Sequence, residues 1–140
     1  MENTIKLTKS LKETQAFGAA FAREINHGMV IFLQGDLAAG KTAFTKGLAE
    51  GLGVKANVNS PTFTILKEYQ GNEFELKHID AYRLEGSTDD SLGFYDLIDE
   101  DTIVVVEWPE YIKHLNIKCD YHLIFKVISD TEREIEVIKC

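Results

Sequence analysis

The chain has 140 residues, 44% of them hydrophobic, and a formal net charge of −8 at pH 7. This size and apolar content predict a single domain, residues 1–140, built around one continuous core. No apolar run approaches the ~20 residues of a membrane-spanning helix. So acidic a composition argues against strong nucleic-acid binding by the chain alone, because a grip on the phosphates would need a basic face.

A helix, a buried strand and a second helix are predicted in the first third of the chain. Ser10, followed three residues later by Glu13, fits a capping box, so the first helix should begin at Leu11. Residues 29–33 form a continuous apolar run, which is typical of a strand buried on both faces. The second helix should begin at about Lys41. Apolar residues at helical spacing give these helices their inward faces, at Phe17, Phe21, Ile25, Phe44, Leu48 and Leu52.

Strands dominate the rest of the chain. Residues 64–69 and 73–82 predict one antiparallel hairpin, and residues 121–128 and 134–138 predict another. A second doubly buried strand is predicted at residues 103–106. Because helices and strands alternate early and strands dominate late, we expect an α/β fold with a central mixed β-sheet flanked by helices on both faces.

The cysteines and the N-terminus bear on the cellular compartment. Cys119 and Cys140 have neither metal-ligand nor redox-pair spacing, and we expect them to be free thiols of a reducing compartment. The first residues show no basic region followed by an apolar stretch, so no secretion signal is predicted. Both observations favour a cytoplasmic protein, whose acidic surface would suit a basic protein partner.

A phosphate-binding loop is the most specific motif. Residues 35–42 match G-x-x-x-x-G-K-[ST] without a gap, between the first buried strand and the second helix. We expect backbone N–H groups and the helix dipole to hold the β-phosphate, Lys41 to reach the β- and γ-phosphates, and the Thr42 hydroxyl to ligate Mg²⁺. The alternative is a glycine-rich turn that binds nothing. The loop contributes the candidate nucleotide-binding residues Leu37, Ala38, Ala39, Gly40, Lys41 and Thr42.

Two carboxylates are candidates for the metal site. Glu107 directly follows the buried run at residues 103–106, where P-loop proteins place an acid near the metal. It could ligate Mg²⁺ directly, ligate it through water or act on the attacking water; the alternative is an acid that leaves a strand into solvent. Asp80 shares a predicted strand face with His78 and is the second candidate, whereas we expect His78 to be a hydrogen-bonded structural residue.

The loop at residues 59–64 offers a further ligand. Mobile loops that sense a γ-phosphate often present a threonine to Mg²⁺, which makes Thr62 a candidate. The alternative is an ordinary entry to a strand, stiffened by Pro61. Position along the chain does not decide between them.

Four motifs together resemble the TsaE family, in the same order. They are Gly35-Asp36-Leu37-x-Ala39-Gly40-Lys41-Thr42, Ser60-Pro61-Thr62-Phe63-Thr64, His78-x-Asp80-x-Tyr82-Arg83 and Val106-Glu107-Trp108-Pro109. The resemblance spans about residues 11–137 and implies a P-loop NTPase-like α/β sandwich with weak, Mg²⁺-dependent ATP hydrolysis, stimulated by TsaB and TsaD. It also implies a role in threonylcarbamoyladenosine modification of tRNA next to the anticodon. In that role the chain resets the TsaB–TsaD complex and meets tRNA only indirectly.

The same resemblance implies roles for individual residues. Lys41 and Thr42 match the phosphate and magnesium positions, and Glu107 and Asp80 match the two acids. Thr62 matches a switch-like threonine. Trp108 matches a site residue that follows the acid, and Arg133 matches a late arginine near the nucleotide. Ser10 and Leu11 fall where the family covers the adenine base.

One residue of the loop departs from the family, which usually has glycine where this chain has Ala38. Glycine tolerates a positive φ angle, so we expect Ala38 to be left-handed and strained when nucleotide is bound. The alternative is an empty loop that relaxes and adopts the binding shape only when nucleotide arrives.

Two other functions use the same loop. A small P-loop kinase usually carries an arginine-rich lid, which this chain lacks. A GTP-dependent switch protein usually carries an Asn-Lys-x-Asp sequence that reads guanine, and this is also absent. The sequence therefore favours an ATPase.

Overall fold

The chain folds around a seven-stranded mixed β-sheet in the computed structural model, which describes residues 3–36, 38–56, 58, 66–84 and 93–140. The strands are, in chain order, β1 (Thr4–Thr8), β2 (Met29–Gln34), β3 (Leu66–Gln70), β4 (Glu75–Asp80), β5 (Thr102–Glu107), β6 (Tyr121–Val127) and β7 (Arg133–Lys139). The α-helices are α1 (Leu11–Arg23) and α2 (Lys41–Gly51). Leu37 and Thr62, both predicted site residues, lie outside the described ranges.

The strand order, β1-β7-β6-β2-β5-β4-β3, places the two apolar strands β2 and β5 side by side in the middle of the sheet. β2 pairs in parallel with both β5 and β6, and β5 pairs in parallel with β4. The outer pairs, β1 with β7, β7 with β6 and β3 with β4, are antiparallel. Because parallel strands end at the same edge of a sheet, Gln34, Asp80 and Glu107 come to one edge, where α/β folds bind their ligands.

Both predicted helix starts are confirmed. α1 begins at Leu11, and the Ser10 side chain accepts a hydrogen bond from the Glu13 backbone N–H at 3.1 Å, as the capping box predicts. α2 begins at Lys41, directly after the phosphate loop. Among the described residues, no helix has the length and apolar character that crossing a membrane requires.

Glycines let α1 and α2 approach each other closely. A Cβ added at Gly47 would lie 1.7 Å from the Gln15 carbonyl oxygen, and one at Gly18 would lie 2.2 Å from the Phe44 carbonyl oxygen. Neither position can therefore carry a larger side chain without moving the helices apart. This close packing keeps the first turns of α1 beside the start of α2 and hence beside the phosphate loop.

The core has two layers, one on each face of the sheet. The larger layer lies between the sheet and both α-helices, where the ring of Phe44 contacts the rings of Phe21 and Phe125. On the opposite face, Val104 packs with Ile112 from a 3₁₀ helix, Pro109–Leu115. The predicted fold class is confirmed. In the described ranges both α-helices lie on one face, and the other face is covered by 3₁₀ helices.

β4 ends earlier than predicted, at Asp80 instead of residue 82. The Asp80 carboxylate accepts a hydrogen bond from the Tyr82 backbone N–H at 3.0 Å. Such a local side-chain-to-backbone bond competes with the strand ladder. The chain therefore turns at this point into a 3₁₀ helix, Ala81–Leu84, and Tyr82 is 51% exposed.

β1 is absent from the sequence prediction. Its alternating apolar residues, Ile5 and Leu7, are 60% and 65% exposed, so they give no inward-facing signal. The strand forms because its backbone pairs antiparallel with β7, which lies at the far end of the sequence.

The expectation of free thiols is wrong, because Cys119 and Cys140 form a disulfide with their Cα atoms 5.8 Å apart. Cys119 precedes β6 and Cys140 follows β7, and the antiparallel pairing of these strands brings the two cysteines together. A separation of 21 residues along the chain does not reveal this pairing. Disulfides are rare in reducing compartments, so the cysteines no longer support a cytoplasmic location.

Candidate functional site

A cavity of about 470 Å³ opens where β4 and β5 end and α2 begins. The predicted site residues that line it are Leu11, Ala38, Gly40, Lys41, Thr42, Asp80, Glu107, Trp108 and Arg133. Two other predicted residues have different places: Ser10 caps α1, and Ala39 is buried, with 1% of its surface exposed. The fold thus brings one set of residues together from both α-helices and from three separate strands or strand ends.

Three lining residues, Gln15, Ala43 and Lys46, are not predicted by the motifs. Gln15 lies four positions after Leu11 on α1, and Lys46 lies four positions after Thr42 on α2. Residues four apart share a helix face. Helical periodicity was therefore the signal that could have found Gln15 and Lys46, whereas Ala43 directly follows Thr42 in the chain.

Three described residues of the phosphate loop have positive φ angles, and one of them, Gly35, has a φ angle of 156°. Gly40 has a φ angle of 105° and Ala38 one of 63°. Glycine adopts this region freely, whereas the Cβ of alanine crowds the backbone there at a cost of roughly 1–2 kcal/mol. Ala38 therefore has the positive φ that its place in the motif predicts. A turn accompanies it, in which the Ala39 N–H donates to the Asp36 carbonyl at 3.1 Å.

The Lys41 ammonium lies among three groups that favour a cation. It donates to the Gly35 carbonyl at 2.6 Å, lies 3.9 Å from Glu107 Oε1 and lies 4.1 Å from the centre of the Trp108 ring. Burial lowers the pKa of Lys41, and nearby carboxylates, Glu107 first, oppose that shift. Because the Lys41 ammonium is poorly hydrated, its electrostatic attraction to a phosphate oxygen would be stronger than that of an ammonium exposed to water.

Glu107 is held from two sides. Its Oε2 lies 2.5 Å from His78 Nε2, and its Oε1 faces Lys41. Glu107 is 5% exposed and His78 is fully buried. The alternative of an acid that leaves the strand into solvent is therefore wrong, and His78 has the buried, hydrogen-bonded position expected of a structural residue.

The chain is similar in sequence and in fold to proteins of one family. The family model described as "Threonylcarbamoyl adenosine biosynthesis protein TsaE" matches residues 8–135. The chain belongs to the TsaE family.

Two TsaE relatives and one solved structure show how far the similarity extends. The tRNA threonylcarbamoyladenosine biosynthesis protein TsaE of Bacillus subtilis is 42% identical over 91% of this chain and 80% of its own length. The protein of the same name from Treponema pallidum is 37% identical over 94% of this chain and 97% of its own. The crystal structure of Bacillus subtilis YdiB has a TM-score of 0.81 and 34% identity, and the match covers 99% of this chain and 87% of that one. This chain is thus a TsaE-family protein of tRNA threonylcarbamoyladenosine biosynthesis.

The cavity of this TsaE-family chain has oxygen donors that suit Mg²⁺. Thr42, Asp80 and Glu107 all line it, and Asp80 is the register partner of Glu107 across β4 and β5. Within the described ranges, no three His, Cys, Asp or Glu side chains are grouped closely enough to form a metal cage. Mg²⁺ does not need one, because it usually combines one or two carboxylates with phosphate oxygens and water. The donor set therefore fits a metal that arrives with a nucleotide.

Trp108 follows Glu107 and closes one side of the cavity. Its backbone is left-handed, with φ 61° and ψ 52°, which turns the chain from β5 into the 3₁₀ helix that follows. Its ring contacts the rings of Tyr82 and Tyr111, with centroids 5.5 Å and 6.4 Å away. Trp108 is the single tryptophan of the TsaE-family chain, so its fluorescence reports on this site alone.

Proposed function

We propose that this chain binds ATP with Mg²⁺ in the cavity and hydrolyses it slowly, and that TsaB and TsaD stimulate the hydrolysis. The proposal rests on one observation, which is that the phosphate loop and two carboxylate side chains lie in the same cavity. Lys41 Nζ lies 3.9 Å from Glu107 Oε1, and Asp80 stands beside Glu107 in the sheet. Phosphoryl transfer depends mainly on positioning and on charge stabilisation, and this cavity offers groups for both.

Each group has a distinct task in the proposed reaction. The N–H groups of the loop and the Lys41 ammonium hold the phosphates and neutralise the charge that develops on them. Bound Mg²⁺ supplies further positive charge to the phosphate oxygens, and Thr42, Asp80 and Glu107 are the residues that would hold it. His78 fixes one oxygen of Glu107, and the other, which faces Lys41, would orient the attacking water or help to hold the metal.

Two features of the sequence favour ATP hydrolysis over the rival functions. The guanine-reading Asn-Lys-x-Asp sequence is absent, which favours ATP over GTP. The arginines, Arg23, Arg83 and Arg133, are scattered along the chain and form no cluster of the kind found in kinase lids. We therefore propose that water is the acceptor of the γ-phosphoryl group.

The charge of the chain bears on its partners. With a net charge of −8, the chain is poorly suited to hold the tRNA phosphates itself. We propose that it acts on tRNA indirectly, through protein contacts with TsaB and TsaD. We also propose a cytoplasmic location, as the place of this proposed role in tRNA modification.

ATP hydrolysis should be measured for the chain alone, with TsaB and TsaD, and with both partners plus tRNA. We expect slow hydrolysis alone and faster hydrolysis with the partners, because docking completes the catalytic arrangement. In a separate titration at physiological salt, the isolated chain should bind tRNA weakly or not at all. Unchanged hydrolysis on addition of TsaB and TsaD would contradict the partnership, and sub-micromolar tRNA binding by the chain alone would contradict the indirect role.

A further inference from the structure

Arg133, the first residue of β7, reaches across to the phosphate loop. Its Nη2 donates to the Ala38 carbonyl at 3.1 Å. Its Nη1 donates to the carbonyls of Ser129 and Glu132 at 2.8 Å and 2.9 Å. Only 6% of the residue is exposed. One guanidinium thus joins the loop to the turn between β6 and β7.

The turn at the other end of this link is itself well ordered by hydrogen bonds. The Ser129 hydroxyl oxygen accepts from the Glu132 N–H at 3.1 Å, and the Ile128 N–H donates to the Glu132 carbonyl at 3.0 Å. The two carbonyls that Arg133 holds in the turn are therefore fixed relative to the sheet. Because the Arg133 guanidinium is bonded to these carbonyls, it holds the Ala38 carbonyl at a fixed place relative to the sheet.

Ala38 has a backbone conformation that needs such support. Its φ angle of 63° is unfavourable for alanine, and its N–H and carbonyl belong to the segment that should surround the phosphates. A strained residue keeps its conformation only where its surroundings over-determine it. A hydrogen bond from a buried cation to its carbonyl is a strong restraint of this kind.

We propose that Arg133 is a positioning residue, which holds the Ala38 carbonyl and so keeps the phosphate loop in its binding conformation in advance of the nucleotide. Its described hydrogen bonds all go to backbone carbonyls of the loop and the turn, and its buried Nε has no partner among the described residues. We assign its effect on nucleotide binding to its hold on the loop, and a direct contact with the nucleotide is the alternative that the test must separate. The consequence for ATP rests on the proposed function, whereas the effect on the loop does not. Preorganisation of this kind improves affinity because less order has to be created on binding.

Arg133→Lys separates this role from a direct charge contact with a phosphate. Lysine keeps the positive charge, but its single ammonium cannot span three carbonyls as the planar guanidinium does. A direct charge contact would therefore survive Arg133→Lys in large part, and the proposed positioning would not. Lys126→Ala is the matched control, because Lys126 lies on the same hairpin with its side chain 60% exposed and pairs only with Glu134 among the described residues.

The test uses the full-length chain and two measurements. The first is amide hydrogen exchange by NMR without nucleotide, following the Ala39 amide in the loop and the Leu33 amide in β2. The second is ATP affinity from a titration of Trp108 fluorescence with Mg²⁺ present. We expect Arg133→Ala and Arg133→Lys each to speed Ala39 exchange by about tenfold, as loss of a charged hydrogen bond would, and to weaken ATP binding by a similar factor. Leu33 exchange and the Lys126→Ala variant should match the unmodified chain.

The two measurements separate failure of the positioning role of Arg133 from failure of the proposed ATP binding. Unchanged Ala39 exchange in both Arg133 variants would overturn the proposal, whatever happens to ATP. Wild-type ATP affinity in Arg133→Lys, with Ala39 exchange still fast, would also overturn it, in favour of a direct contact. If Ala39 exchange speeds up but the unmodified chain itself binds no ATP, the positioning is supported and the proposed function fails. Should Arg133→Ala prove unfolded, Arg133→Lys decides by the same criteria.

Discussion

Lys41→Ala is expected to lower the rate of ATP hydrolysis in the presence of TsaB and TsaD by roughly 10²–10³-fold, the usual loss when one preorganised charge contact is removed. Lys41 is only 5% exposed, and its ammonium lies between the phosphate loop and Glu107. Two other described cations line the cavity, but Lys46 is exposed on the next turn of α2, and Arg133 is held by backbone carbonyls of the loop and of the turn before β7. We therefore expect neither of them to replace the lost charge.

The measurement is steady-state phosphate release at saturating Mg²⁺ and ATP, with far-UV circular dichroism as a check that the variant is folded. Lys12→Ala, at an exposed position of α1, is the control and should keep the full rate. A Lys41→Ala variant that hydrolyses ATP as fast as the unmodified chain would show that residues 35–42 are a glycine-rich turn without catalytic function.

Glu107→Gln is expected to lower the hydrolysis rate by roughly 10²-fold or more while changing ATP affinity only about threefold. The amide keeps the volume of the side chain, but it cannot take a proton from water or carry the charge that orients it. Such a group acts mainly as charge builds in the transition state, so the rate should fall much further than the binding.

Glu110→Gln is a suitable comparison for this variant. The Glu110 carboxylate also acts to raise the pKa of Lys41, but it is exposed and lies outside the cavity lining. We expect it to keep both the rate and the affinity. If ATP affinity in Glu107→Gln falls as far as the rate, then Glu107 serves ground-state binding, and the role given to it here is wrong.

Much of the fold could be predicted because its signals are local. The capping box at Ser10, the apolar run at residues 29–33 and the loop motif each occupy a few consecutive residues, and each gives the right element boundary within one residue. The two acids could also be named as candidates from the sequence, because each lies at or near the end of a predicted strand. Their pairing as register partners is visible only in the structure.

The features that the sequence did not reveal depend on contacts between distant residues. β1 exists through its pairing with β7, and the disulfide through the pairing of β6 with β7. The contact of Arg133 with Ala38 joins residues 95 positions apart, and that of His78 with Glu107 joins residues 29 apart. Neither spacing has a periodicity that secondary structure would produce. The resemblance to the TsaE family pointed to Arg133 near the nucleotide, but it did not give the loop carbonyl as its partner.

We propose that the cavity between the phosphate loop and the ends of β4 and β5 is a Mg²⁺-dependent ATP site. Isothermal titration of the isolated chain with ATP, with and without Mg²⁺, and with GTP as competitor, tests it most directly. We expect one ATP per chain, tighter binding with Mg²⁺ than with a chelator, weak competition by GTP, and loss of binding in Lys41→Ala. Absence of binding at millimolar ATP and Mg²⁺, or binding that Lys41→Ala leaves unchanged, would contradict the account.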